Sequence, residues 1–321
     1  MILSIFSVLI GVALLVWGAD RFVTGAAATA KNLGIPSLII GVILVGWATS
    51  LPEMIVSAMA SWQGNTGLAI GSAVGSNILN IGLVLGVTAL VRPLIVHSKL
   101  LKRELPILLI VIVITFFLLL NRHFGRMDGI VLVFGFGLVL IWLLYSSKQA
   151  KVQHDVLAHE FETKIPSGLS TQKATFLWVV GLIALLISSR LLIYGAVNIA
   201  KAFGISDLVI GLTVVALGTS LPELAASVAG VLKNEHDIAI GNVIGSNIFN
   251  LLGVLAMPAL IHPSTIPALL LERDYPVMLG FTLLLVFMAN GFRKRGRIAR
   301  LEGMGLLVGY VAYTILLYFT D

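Results

Sequence analysis

The chain has no cysteine in 321 residues. Disulfides, thiolate-held metal and a cysteine nucleophile are therefore excluded. Charge is scarce as well. Asp, Glu, Lys and Arg make up 11% of the residues, where a soluble domain carries about 25%. Polar stretches are short, and the longest runs only from about Ser146 to Lys173. The opening residues, Met1 to Gly18, lack a positive leading segment and a small-residue cleavage pattern. They read as a first membrane span and not as a removed signal.

What is present is apolar. Hydrophobic residues make up 58% of the chain, with a mean hydropathy of +1.04. A helix needs about 20 apolar residues to cross a bilayer. Ten such spans fit, at roughly 2–22, 37–61, 68–91, 104–120, 128–146, 174–197, 207–231, 238–261, 274–291 and 302–319. The expected class is an all-α polytopic membrane protein. Gly34-Ile35-Pro36, the Gln63–Gly67 loop, the Asn121–Met127 turn and the basic run Arg293–Arg297 punctuate it.

The net charge of +6 does not point to nucleic acid. Basic residues in loops set membrane topology, collecting on the cytoplasmic side. With the N-terminus outside, 16 of the 21 Lys and Arg fall on the inside and 5 outside. That places both termini outside and the 147–173 linker in the cytoplasm. The surroundings are those of a multi-pass protein in a prokaryotic cell membrane, with the lipid bilayer as its partner. The sequence does not give an oligomeric state.

The chain also repeats itself. Shifted by 170 residues, Lys31 meets Lys201, Glu53 meets Glu223, Ser76 meets Ser246 and Pro93 meets Pro263. About 29 of the 70 positions from 24 to 93 are identical in this register. A period this long is a duplication, not a solenoid. Five spans separate equivalent points, and an odd number reverses orientation. The expected organisation is two inverted five-helix repeats, 1–146 and 174–321, joined by the linker. Inverted repeats mark transporters, with the substrate near the midplane where the halves meet.

Each copy carries the same polar motif inside an apolar span. The first is Trp47-Ala48-Thr49-Ser50-Leu51-Pro52-Glu53 and the second Leu217-Gly218-Thr219-Ser220-Leu221-Pro222-Glu223. A carboxylate at bilayer depth is costly and faces a bundle interior or a water-filled cavity. On a helix Thr49, Ser50 and Glu53 share one face, as do Thr219, Ser220 and Glu223. Pro52 and Pro222 have no N–H, so the carbonyls of Ala48 and Gly218 lose their helical partners. In lipid those carbonyls need a new partner, and a cation is a suitable one.

The third and eighth spans add Ser76 with Asn80 and Ser246 with Asn250, each pair four residues apart on one face. Their side chains supply neutral oxygens. Gly71 with Gly75, and Gly241 with Gly245, form G-x-x-x-G pairs that let backbones approach closely. They are read as packing residues that bring this backbone near the Glu-bearing helix. Asn77 and Asn247 point away from the serines and read as structural hydrogen-bonding groups. The six histidines lie near predicted loops, and Asp20 with Arg21 reads as a topology or packing pair.

The summed donor set is two carboxylates, hydroxyls, amides and loosened carbonyls, all oxygen. Zinc and copper favour nitrogen or sulfur, whereas hard cations take oxygen. Calcium accepts 6–8 oxygens and bidentate carboxylates. Two negative charges balance one Ca²⁺, and without it they repel unless sodium ions or protons replace it. That mutual exclusion is a physical basis for exchange. No cofactor is called for, and no activated nucleophile suggests an enzyme.

On these motifs the chain resembles the cation/calcium exchanger superfamily, and within it the prokaryotic sodium/calcium antiporters without large regulatory domains. The likeness covers nearly the whole chain, through the paired G-T-S-L-P-E and G-S-N-I-x-N blocks. It implies a ten-helix inverted-repeat fold and alternating access of one central site. It also implies Ca²⁺ ligands at Glu53, Glu223 and the backbone of Thr49 and Thr219. Na⁺ ligands would include Ser50, Ser220, Ser76, Ser246 and the carbonyls of Gly46 and Ala216. Two departures stand out. Ala48 replaces the glycine found at Gly218, and Asn80 and Asn250 are both amides where some relatives carry one aspartate. The implied activity is Ca²⁺/Na⁺ antiport. Ca²⁺/H⁺ antiport with Glu53 and Glu223 as proton carriers, and a passive cation channel, are the competing readings.

Overall fold

Apolar composition along the whole chain leaves helix as the structure that satisfies its own backbone in lipid. The computed structural model describes residues 1–33, 50–95, 99–152, 168–232, 236–290 and 296–320. Helix α1 runs Ile2–Asn32, α2 Leu51–Trp62 and α3 Thr66–Leu79. A π-helical turn, Asn80–Leu85, leads into α4, Gly86–Val91. After the short strand β1, Leu94–Ile95, come α5, Lys99–Leu119, then β2, His123–Phe124, and α6, Arg126–Val152.

The second half follows the same order. Helix α7 runs Thr171–Phe203, and α8 Asp207–Ile210 continues through a π-helical turn, Gly211–Val215, into α9, Ala216–Thr219. Helix α10 is Leu221–Leu232 and α11 is His236–Phe249. A π-helical turn at Asn250–Val254 precedes α12, Ala256–Ile261, and β3, Ser264–Thr265. A last π-helical turn, Leu270–Asp274, opens α13, Tyr275–Asn290, and β4, Arg297–Ile298, opens α14, Arg300–Thr320.

All ten expected spans contain helix, the second described only from Ser50 onward. Among the described residues six helices are long and apolar enough to cross a membrane, and the pair Asp207–Thr219 with Leu221–Leu232 adds one bent span. Several boundaries differ: α1 runs on to Asn32, α5 starts at Lys99 and α7 ends at Phe203, each beyond the expected span. The linker expected from 147 is helical to Val152, and α7 already starts at Thr171, where Ser170 accepts the Lys173 N–H at its cap. Helices extend past the apolar run because their backbone bonds do not depend on lipid. The Gln63–Gly67 loop is shorter than drawn, since α3 begins at Thr66. Gly64 makes the turn with φ +79°, a left-handed conformation that glycine adopts without penalty.

Burial sorts the spans. Of the apolar window in Thr66–Val91 and in Ala239–Ile261, 78% is enclosed by protein, against 33% for the first helix and 11% for Arg126–Leu143. The two helices that carry the serine–asparagine pairs are therefore the centre, and the others present apolar faces outward.

Contacts between the halves come in matched pairs. Helices α1 and α7 run antiparallel, with Gly11 against Leu192 and Gly25 against Trp178. A Cβ on Gly11 would sit 2.9 Å from the Leu192 nitrogen, and one on Gly181 would sit 2.3 Å from the Phe22 nitrogen. Those two contacts are related by the 170-residue shift. The strands repeat the pattern. β1 pairs antiparallel with β4, Leu94 opposite Ile298, and β2 with β3, Phe124 opposite Ser264. Each pair joins one half to the other, and neither was legible from hydropathy.

Candidate functional site

The two motifs become two helix breaks. Ser50 precedes α2 with φ −89°, ψ 0°, and Ser220 separates α9 from α10 with φ −89°, ψ 9°. Both lie in the sparsely populated bridge region between helix and strand. Pro52 then stands in the first turn of α2, where its missing N–H is no loss. Pro222 holds the matching place in α10. In the second copy the pieces on either side of Ser220 are bent by 45°. In the first copy Gly46 and Thr49, and the carbonyl of Ala48, lie outside the described residues.

Glu53 and Glu223 follow three residues after the breaks, and both are fully buried. Ser220, three residues before Glu223, reaches across to Glu53. Serines hold each carboxylate, through contacts that cross between the halves. The Ser220 hydroxyl donates to Glu53 Oε1 at 3.2 Å. Ser246 Oγ donates to Glu223 Oε1 at 2.9 Å. Ser50 Oγ lies 2.6 Å from Ser246 Oγ. A hydroxyl has one proton, and that of Ser246 goes to Glu223, so Ser50 is the donor in this contact.

The remaining predicted side chains are enclosed by protein. Ser76, Asn80 and Asn250 show no accessible surface. Ser76 Oγ, Asn80 Oδ1, both amide atoms of Asn250 and Glu53 Oε2 are buried with no hydrogen-bond partner among the described residues. A buried polar atom without a partner costs about 1–3 kcal/mol, so each of the five is strained unless something binds it. Both asparagines begin π-helical turns, Asn80–Leu85 and Asn250–Val254. Such turns widen the helix and gather at functional sites. Ala216 is buried, and its carbonyl accepts from the Ser220 N–H at 3.0 Å and from Thr219 Oγ1 at 3.3 Å.

The glycines pack where expected in kind, against a partner the sequence did not name. A Cβ on Gly71 would fall 2.4 Å from the Leu208 carbonyl, and one on Gly75 2.6 Å from the Leu212 backbone. Helix α3 thus lies against the segment leading to Ser220 and Glu223, in the other half. Gly241 and Gly245 stand half-buried in α11.

Three residues besides the candidate ligands take part, of which Asn247 was expected as a hydrogen-bonding group. Asn247 accepts from Asn80 Nδ2 at 3.1 Å and donates to the Asn77 carbonyl at 3.3 Å, so it bridges the two central helices. Asn242 donates to the Glu223 carbonyl and to Ser227 Oγ, each at 3.3 Å. Ser57 donates to the Val254 carbonyl at 3.0 Å. The signal for the last was available. Pro258 removes the helical partner of the Val254 carbonyl, by the same logic that drew attention to Pro52.

No group of three or more His, Cys, Asp or Glu gathers among the described residues. The site is two carboxylates and neutral oxygens, as its donor types suggested. A family model described as sodium/calcium exchanger protein matches residues 3–145 and 173–319. The chain belongs to the sodium/calcium exchanger family. It is 42% identical over 323 residues to inner membrane protein YrbG of Escherichia coli K12, covering 99% of this chain and 98% of that one. It is 33% identical over 346 residues to the sodium/calcium exchanger MaX1 of Methanosarcina acetivorans, covering 97% of each. Among solved structures it resembles the sodium-calcium exchanger NCX_Mj soaked with Na⁺ and Sr²⁺. That likeness has a TM-score of 0.66 and 34% identity over 97% of both chains. The exchanger fold thus extends over the whole chain, helical and membrane-embedded.

Proposed function

We propose that the protein is a secondary antiporter that exchanges Ca²⁺ for Na⁺ by alternating access of the buried site. One observation carries this reading: two carboxylates, Glu53 and Glu223, are fully buried, and each is held by serine contacts that cross between the halves, Ser220 on Glu53 and Ser50 through Ser246 on Glu223. Two negative charges enclosed together need compensation. One Ca²⁺ supplies it, and so does a set of Na⁺ ions, but both cannot occupy the same oxygens. Loading one ion therefore requires release of the other.

In this reading Glu53, Glu223 and the carbonyls of Thr49 and Thr219 hold Ca²⁺. Ser50, Ser220, Ser76, Ser246 and the carbonyls of Gly46 and Ala216 hold Na⁺, with Asn80 and Asn250 adding neutral oxygens. The fold is two inverted five-helix repeats, 1–146 and 174–321, around a cytoplasmic linker, with both termini outside a prokaryotic cell membrane. The antiparallel α1–α7 pair and the matched strand pairs support that symmetry. The π-helical turns and the breaks at Ser50 and Ser220 are the places where the backbone adjusts around the ion.

The test is ⁴⁵Ca²⁺ uptake into proteoliposomes loaded with Na⁺, beside vesicles loaded with choline at matched pH and vesicles with an imposed pH gradient. Uptake that requires internal Na⁺ is expected. Uptake driven by the proton gradient without Na⁺ would replace the reading with Ca²⁺/H⁺ antiport. Flux that follows the Ca²⁺ gradient alone would make the protein a channel.

A further inference from the structure

A cavity that neither Glu53 nor Glu223 lines lies between the end of α2 and one face of α7. It encloses about 620 Å³. Helix α7 contributes Arg190, Ile193, Tyr194, Val197 and Asn198, spaced as one helical face. Helix α2 and the turn after it contribute Met59, Trp62, Gln63 and Asn65. The lining is thus mixed: a cation and three amides face the cavity beside the apolar and aromatic side chains of Met59, Trp62, Ile193, Tyr194 and Val197.

Arg190 is the unusual member. Among the described residues no carboxylate pairs with it, and it sits on an otherwise apolar helix. Its positive charge repels Ca²⁺ and Na⁺, so the cavity is unsuited to passing the transported ions. A guanidinium is a rigid fork of donors matched to phosphate oxygens. The Gln63–Asn65 turn is where the chain leaves the membrane between α2 and α3. Trp62 and Tyr194 are 79% and 52% exposed, and such rings settle at the membrane–water boundary. Asn198 spends one N–H on the Tyr194 carbonyl at 2.7 Å and keeps the other.

We propose that this cavity is a phospholipid site, with the headgroup phosphate held by Arg190 and the amides, and an acyl chain lying along Met59, Ile193 and Val197. Charge complementarity selects the phosphate, and the apolar strip of Met59, Ile193 and Val197 beside the polar groups selects a lipid over free phosphate. The site would hold a lipid against both the Glu53-bearing helix α2 and the long helix α7.

The experiment uses the full-length protein, stripped of lipid in detergent and followed by native mass spectrometry. It is titrated with dioleoylphosphatidylglycerol and, in parallel, with dioleoylglycerol, which has the same chains and no phosphate. One tightly held phosphatidylglycerol per chain is expected for the natural sequence. Arg190→Gln is expected to weaken that adduct roughly tenfold or more, the range of a charge-assisted contact. Arg190→Lys should keep part of it, because it retains the charge without the fork. Tyr194→Ala, which leaves every charge in place, should weaken the same adduct and serves as a second variant. Equal phosphatidylglycerol retention by the natural chain, Arg190→Gln and Tyr194→Ala overturns the proposal. So does binding of dioleoylglycerol as tight as that of phosphatidylglycerol.

Discussion

The two halves of the site place their carboxylates alike and secure them differently. In the second half a relay runs from Ser50 to Ser246 to Glu223. The 170-residue shift turns that relay into Ser220 to Ser76 to Glu53. The structure instead has Ser220 donating directly to Glu53, and Ser76 Oγ is left without a partner among the described residues. One step further out the difference recurs. Asn242 ties α11 to the Glu223 carbonyl, while its counterpart Ser72 is buried with a hydroxyl that has no partner among the described residues. Ser57 donates to the Val254 carbonyl of the other half, whereas the matching carbonyl, at Val84, is capped by Thr88 of its own helix at 2.6 Å. Pro258 stands where Thr88 would recur, so the second half must borrow its donor. A duplicated sequence has thus produced two sides with inequivalent hydrogen bonding, and the side around Ser76 is the one whose hydroxyls lack partners among the described residues.

The largest expected effect removes what the halves share. Glu53→Gln and Glu223→Gln each cancel one of two charges facing a divalent ion. Calcium binding by calorimetry should fall in both by more than the ~10–100-fold that outer-shell partners carry. Retained affinity in either variant would take that residue out of the site and end the comparison at its root.

The next concerns the borrowed donor. Ser57→Ala leaves the Val254 carbonyl buried and unsatisfied, at a cost of about 1–3 kcal/mol. The denaturation midpoint should drop accordingly. Pro258→Thr restores both an N–H four residues after Val254 and the hydroxyl seen at Thr88. In that background the same Ser57→Ala change should cost much less. An equal cost in both backgrounds would mean that Ser57 acts through something other than this carbonyl.

The serines separate the two sides more finely. Ser246→Ala removes a donor to the Glu223 carboxylate, a contact of about 1.5–3 kcal/mol, and should weaken Ca²⁺ binding roughly tenfold. Ser76→Ala touches no carboxylate contact. It should leave Ca²⁺ binding nearly unchanged and raise the Na⁺ concentration needed for half-maximal exchange. Identical effects on both ions from both variants would erase the asymmetry.

Much of this was legible in the chain. Apolar spans, the 170-residue repeat and the paired Pro-Glu motifs marked the helices, their matched order and the buried carboxylates, because each rests on local spacing. The asymmetry was not legible from identical positions. It arises at positions where the copies diverge, Ser72 against Asn242 and Thr88 against Pro258, and those are discarded when a repeat is counted by its identities. The strand pairs β1–β4 and β2–β3 were missed because two-residue ladders leave no hydropathy period. Asn247 was read correctly as a hydrogen-bonding residue, but its partners, Asn80 and the Asn77 carbonyl, lie on the other central helix and only the fold brings them near. The π-helical turns at Asn80 and Asn250 were likewise hidden, since an extra residue in a helical turn leaves composition unchanged.

The smallest expected change tests whether the free side includes Asn250. Its amide has no partner among the described residues at either atom, so it is placed to meet an ion or the water around one. Asn250→Asp keeps the shape and adds a titratable group. While protonated, the new side chain is neutral, and the variant should exchange as the natural chain does at the acid end of the range. As pH rises it ionises and adds a third negative charge to the two carboxylates, which strengthens attraction for Ca²⁺ relative to Na⁺. The pH profiles of sodium-driven Ca²⁺ release should therefore coincide at low pH and separate as pH increases, the variant releasing Ca²⁺ more slowly. Superimposable profiles would place Asn250 outside the ion's reach. The amide pair Asn80 and Asn250 would then be a packing feature of the π-helical turns, and the inequivalence of the two halves would rest on the serines alone.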